Sequence, residues 1–118
     1  MPSAESYTVA ERRFLLSLAW QSIRSGLTSG HPLSVDIAEV PVSLQYDRAC
    51  FVTLKREGEL RGCIGNLQVR GRLVDAVVEN AYRAAFQDSR FTPVSAAELS
   101  EITLELSVLS PLQPLAVT

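Results

Sequence analysis

Ala49-Cys-Phe-Val-Thr-Leu-Lys55, then Arg56-Glu57-Gly58-Glu59, then Leu60-Arg-Gly-Cys-Ile-Gly65 is the stretch from which the fold is read. Its first part is β-branched and aromatic, and the last part answers it across a glycine, which is the pattern of a β-hairpin. A three-residue loop, Arg56-Glu57-Gly58, puts Gly58 in the left-handed bulge position and closes Lys55 onto Glu59. Leu54 then faces Leu60, Val52 faces Gly62 and Cys50 faces Ile64, all on one apolar face. Phe51 opposite Cys63 and Thr53 opposite Arg61 make the other face. A two-residue loop shifts the parity and sets Arg61 and Cys63 beside Val52 and Leu54. The three-residue loop is preferred because it separates polar from apolar. It also puts Cys50 and Cys63 on opposite faces, out of reach of an internal disulfide.

The flanks supply helices and one more strand. Thr8-Val-Ala-Glu11 fits a capping box opening a helix from about Thr8 to Ser25. Leu15, Leu16, Ala19 and Ile23 form its stripe, with Trp20 beside it. Gly26 is the expected left-handed stop. Gly26 to Pro41 reads as mostly loop, with room for one short extended piece. A second helix spans Arg72 to Gln87, with Leu73, Val77, Ala81 and Ala84 on its stripe. Asp88-Ser-Arg-Phe-Thr-Pro93 breaks it. Ser95 to Glu98 is a second capping box, stapled by Val94 and Leu99, that opens a helix of one or two turns. Ile102, Leu104, Leu106 and Val108 alternate with Thr103, Glu105 and Ser107, so Glu101 to Leu109 is a half-buried strand ended by Pro111 and Pro114. There is no internal repeat. Residues 1–118 read as one α+β domain, a small antiparallel sheet with helices packed on it.

Composition removes several functions. At 47% apolar and 20% charged, 118 residues make one globular domain. Eleven basic against thirteen acidic residues offer no basic field for nucleic acid. No apolar run approaches the roughly 20 residues needed to span a bilayer. The opening MPSAESYTVAERR carries no signal core, so a cytoplasmic domain with reduced thiols is expected. Two cysteines, one histidine and no CxxC pair leave neither a disulfide framework nor a zinc set. Phosphate-loop and dinucleotide fingerprints are absent, and no cofactor is expected.

The residues that could carry chemistry cluster in Leu60-Arg-Gly-Cys-Ile-Gly65. Paired glycines in a strand mark a bulge or a close approach by backbone or ligand. Arg61 lies two residues before Cys63, where a guanidinium favours thiolate. One reading is a reactive Cys63 in a cleft lined by Gly62 and Gly65; the other is a small hydrophobe in a tight strand. A cysteine nucleophile needs a base. The only histidine, His31, sits in a Gly-His-Pro loop and reads as exposed. Asp88 and Arg90 either hold a ligand's charges or satisfy backbone groups at the helix end. Glu79, Asn80 and Arg83 read as a solvated face, and Tyr7, Trp20 and Tyr46 as packing.

Phe51-Val-Thr-Leu-Lys55, Leu60-Arg-Gly-Cys-Ile-Gly65, Ala84-Ala-Phe-Gln-Asp-Ser-Arg-Phe-Thr-Pro93, Glu98-Leu99 and Leu104-Glu-Leu-Ser-Val-Leu-Ser110 together resemble the AMMECR domain family, which is named for the human Alport-syndrome deletion region. The first fifty residues match less specifically, as the family's opening helix and loop. The resemblance implies an α+β fold of two subdomains around a cleft, with the Arg-Gly-Cys-Ile-Gly strand near it. It implies Memo-like and radical-SAM proteins as partners, and it brings no assigned reaction. Arg61, Gly62, Cys63, Gly65 and Arg90 carry over as candidate site residues. Two functions follow: an accessory or interaction module for those partners, or a small-molecule enzyme using Cys63 as nucleophile or thiol relay with Arg61 stabilising charge. Family members continue with a glycine- and arginine-rich segment, so the chain is expected to be the N-terminal portion of the domain. An open apolar sheet face, and hence a homo-oligomer, is expected from that.

Overall fold

Thr8 opens the first helix, α1 (Val9–Ser29), in the computed structural model, which describes residues 7–109. The threonine hydroxyl accepts from Glu11 N–H (3.0 Å) and the Glu11 carboxylate accepts from Thr8 N–H (2.8 Å). This is the expected capping box. The expected stop at Gly26 is corrected. The helix continues to Ser29, and Gly30, at φ +80°, is the left-handed cap whose N–H donates to Gly26 O. Gly26 lies inside the helix, and it is a glycine there because the Phe86 ring lies where a Cβ would be. Leu15, Leu18, Ala19, Ser22 and Ile23 are the buried stripe. The Ser22 hydroxyl donates to Val78 O (2.7 Å) and accepts from Leu33 N–H (3.1 Å), tying helix, neighbour and loop together. The loop holds two short 3-10 turns, Ile37–Glu39 and Val42–Leu44, and Val40 and Leu44 plug the core.

The strands are β1 (Cys50–Arg56), β2 (Glu59–Gly65) and β3 (Ile102–Val108), antiparallel in the order β2-β1-β3. The hairpin register departs from expectation. Glu57 (φ 54°) and Gly58 (φ 81°) form a two-residue turn with both positions left-handed, and Arg56 pairs with Glu59. Lys55 pairs with Leu60, then the register slips and Leu54 pairs with Gly62, Thr53 with Cys63 and Val52 with Ile64. Arg61 is the extra residue of a bulge. That bulge restores the parity the short turn would have lost. Cys50, Val52, Leu54 and Gly62 therefore still face inward, while Thr53 and Cys63 face outward together. Leu60 is the residue displaced: it is 42% exposed instead of facing Leu54. Both cysteines are free, Cys50 in the core and Cys63 on the outer face.

α2 (Leu73–Phe86) covers the inner face of β1 and β2, and α1 packs against α2. Leu73, Val74, Val77, Ala81, Ala84 and Ala85 are buried against the sheet and α1. Asn80 is a third correction. It is 5% exposed, not solvated, and its Nδ2 donates to Cys50 O (3.0 Å) and Asn66 Oδ1 (3.1 Å). Glu79 and Arg83 are exposed as read. Val94 N–H then donates to Ala85 O (2.8 Å), and Ala96–Glu101 form a 3-10 helix behind the expected Ser95–Glu98 box. Pro111 and Pro114 lie outside the described residues. No helix among the described residues is long and apolar enough to cross a membrane.

Candidate functional site

The two glycines around Cys63 are explained by this chain's own packing. A Cβ on Gly62 would land on the Ala84 carbonyl, so Gly62 lets the α2 backbone approach the sheet closely. A Cβ on Gly65 would meet the Phe51 ring and, at 2.8 Å, the Cys50 carbonyl oxygen. The space expected to be open beside the thiol is thus filled on both flanks. Cys63 is half-buried, with Sγ 3.2 Å from Thr53 Oγ1, and it lines neither of the two grooves described below.

The bulge re-aims Arg61 away from the thiol. Its guanidinium, 13% exposed, forks onto Glu98, with Nε to Oε1 at 2.9 Å and Nη2 to Oε2 at 3.0 Å. Nη1 donates to Thr92 O (2.8 Å). Glu98 also accepts from Ser95 N–H (2.9 Å). The arginine holds the Glu98 carboxyl down to about 2, with the Ser95 N–H adding to the effect and burial opposing it. Arg61 thereby fastens β2 to the segment Thr92–Glu101. The expected role of favouring a thiolate is replaced by this one. Glu98 itself was legible only as a capping residue; its second role depends on a partner 37 residues away.

Asp88 and Arg90 act on the edge of β2. Hydrogen-bonding groups alternate along an antiparallel strand, so those of Cys63 point away from β1. Cys63 N–H donates to Asp88 Oδ2 (3.0 Å), and Arg90 Nη2 donates to Cys63 O (3.4 Å). Arg90 also holds Asp88 through Nε (3.0 Å), Nη2 (2.7 Å) and its own N–H (3.1 Å). The pair takes the place of a neighbouring strand and closes this edge. Arg90, above all, and the two backbone N–H groups hold the Asp88 carboxyl far below the usual carboxylate range against the cost of burial. Of the two roles weighed for Asp88 and Arg90, backbone satisfaction is the one the geometry displays, and it serves β2 as well as the turn after the helix. His31 is exposed, in the loop after α1. Among the described residues no three His, Cys, Asp or Glu side chains converge as a metal set.

The opposite edge, that of β3, differs. Leu109 N–H donates to Ala49 O, so by the same alternation the backbone groups of Leu104, Leu106 and Val108 point away from β1. No described strand lies beside them. Their side chains are half-buried and border an apolar groove of about 460 Å³ against Leu15 and Leu16 of α1. A second, polar groove of about 550 Å³ lies past the end of β2, between Gly65-Asn66 and the outer side of α2.

The profile of the AMMECR1 family matches residues 16–118. A protein of Methanothermobacter thermautotrophicus is 40% identical over 107 residues, covering 91% of this chain and 55% of its own. A protein of Methanopyrus kandleri is 42% identical over 118 residues, covering 96% and 55%. The crystal structure of an uncharacterized protein from Pyrococcus horikoshii superposes with a TM-score of 0.80 at 34% identity, over 86% of this chain and 52% of that one. The chain spans about half the length of the curated relatives it matches.

Proposed function

The chain belongs to the AMMECR1 family, and on that premise we propose that it works as a non-catalytic interaction module that docks through the open edge of β3. The supporting observation is the contrast between the two sheet edges. A carboxylate–guanidinium pair closes β2 at Cys63, whereas the outward backbone groups of Leu104, Leu106 and Val108 have no partner among the described residues and their side chains are apolar. Unpaired edges take an added strand.

The occupant proposed is β3 of a second copy. An antiparallel two-fold at Leu106 sets Leu104 against Val108 of the partner copy. The same two-fold sets Glu105 against the partner's Ser107, so no like charges oppose each other. Sedimentation velocity at high protein concentration is expected to find a dimer. Leu106→Pro removes an edge N–H without touching the bonds to β1 and is expected to give a folded monomer. A wild-type chain that stays monomeric sinks this occupant. The Memo-like and radical-SAM proteins implied by the resemblance are proposed as the partners this module serves, to be sought by co-purification.

The alternative is a small-molecule enzyme using Cys63, and it has the half-buried thiol beside the Thr53 hydroxyl in its favour. It lacks the guanidinium, which Glu98 holds. At pH 7, Cys63 is expected to react with iodoacetamide no faster than a free thiol, and Cys63→Ala to keep fold and association. Cys50 is expected to stay unmodified, because burial pushes its thiol up to about 11. Cys63 reacting well above the free-thiol rate would reinstate the enzyme.

A further inference from the structure

We propose that the polar groove beyond β2 binds a small phosphate ester whose body carries hydroxyl or amino groups. The chain is net acidic, yet three arginines, Arg70, Arg72 and Arg83, line this one groove of about 550 Å³. Arg72 is spent on Asp75, with Nε to Oδ2 at 2.7 Å and Nη2 to Oδ1 at 3.1 Å. The side chains of Arg70 and Arg83 make no hydrogen bond or ion pair with a described residue, so two guanidinium forks are available for an anion.

The floor of the groove is fixed in place. Asn80 is buried and its Nδ2 is committed to Cys50 O and Asn66 Oδ1, while Asn66 Nδ2 donates to Gln68 O (2.6 Å). Asn80 Oδ1 has no hydrogen-bond donor among the described residues. The first turn of α2 adds to the field. Arg72 provides no side-chain cap, and the N–H groups of Val74 and Asp75 have no described acceptor. Two carboxylates also line the groove. Asp75 is neutralised by Arg72, but Glu79 is not, and it disfavours a bare anion. Glu79 and Asn80 Oδ1 are both acceptors, so the ligand that suits the whole groove carries donors beside its phosphate. A groove of this volume is within the range of small-molecule sites. The inference does not depend on the β3 edge, and neither outcome there bears on it.

The test is a titration of the whole chain with glycerol 3-phosphate at low salt, followed by amide NMR, with inorganic phosphate as the probe of the anion half alone. Saturable shifts confined to Gly65, Asn66, Arg70 to Val74, Asn80 and Arg83 are expected, with glycerol 3-phosphate binding more tightly than phosphate. Arg70→Gln combined with Arg83→Gln is expected to weaken binding by about tenfold or more. Both side chains are exposed and without described partners, so that variant keeps its fold. Arg13→Gln, on the exposed side of α1, is the control and changes nothing. Absence of saturable shifts at these amides, or an equal loss in the Arg13 variant, overturns the site. Equal affinity for the two probes overturns the role given to Glu79 and Asn80.

Discussion

Gly62→Ala is expected to destabilise the domain by about 3 kcal/mol or more and to leave part of the population unfolded at room temperature. The added methyl would fall on the Ala84 carbonyl oxygen and 3.1 Å from its carbon. Both atoms are backbone, so no rotamer change relieves the clash. The helix end cannot easily retreat, since Ala84 and Ala85 are buried and Ala85 O is bound by Val94 N–H. β2 cannot move outward without breaking the pairing of Leu54 with Gly62. Gly71→Ala is the control, because a Cβ there meets nothing within 4 Å. Urea unfolding of the two variants should separate them widely. Midpoints that agree would mean that α2 does not rest on Gly62, and the account of the glycine pair around Cys63 would go with it.

The same stretch shows how far sequence reaches. Strand positions and faces could be read because alternation reports parity. The register could not, because the two-residue turn at Glu57-Gly58 and the bulge at Arg61 each change parity and together cancel. Gly26 reads as the helix stop, but the left-handed cap is Gly30. Gly26 instead leaves room for the Phe86 ring, 60 positions on. The burial of Asn80 escapes a helical-face reading because it depends on the Cys50 carbonyl, on the strand that its helix packs against and 30 positions away. Arg61, Cys63 and Arg90 stand out by local pattern, yet Arg61 turns to Glu98 while Arg90 and Asp88 take the Cys63 backbone. Their relation runs through Glu98 and Asp88, which lie 37 and 25 residues from their β2 partners, and no local spacing encodes that.

Glu98→Gln should bring out what that long-range pairing contributes. The glutamine keeps the size and an acceptor for Ser95 N–H, so the loss reports the charge opposite Arg61 and, at 3.4 Å, the more exposed Arg56. With the two side chains 9% and 13% exposed, the guanidinium is left nearly buried with carbonyl partners but no counter-charge, and a cost of about 2 to 4 kcal/mol at pH 7 is expected. The pH dependence follows from the direction of the shift. In the unfolded chain a glutamate titrates near about 4.3; folded, Arg61 holds it down to about 2. A carboxyl lowered on folding contributes stability that is whole above its unfolded value and drains away as pH falls through the folded one. Asp88, lowered by Arg90, acts in the same direction. Wild-type stability should therefore be flat above about pH 5 and fall steeply toward pH 2. In Glu98→Gln the fall should be shallower, driven by Asp88, so the gap between the two proteins narrows as acid is added. Parallel curves, with the gap constant from neutral pH to pH 2, would mean that the Glu98 charge contributes nothing and that Arg61 is held by its carbonyl contacts alone.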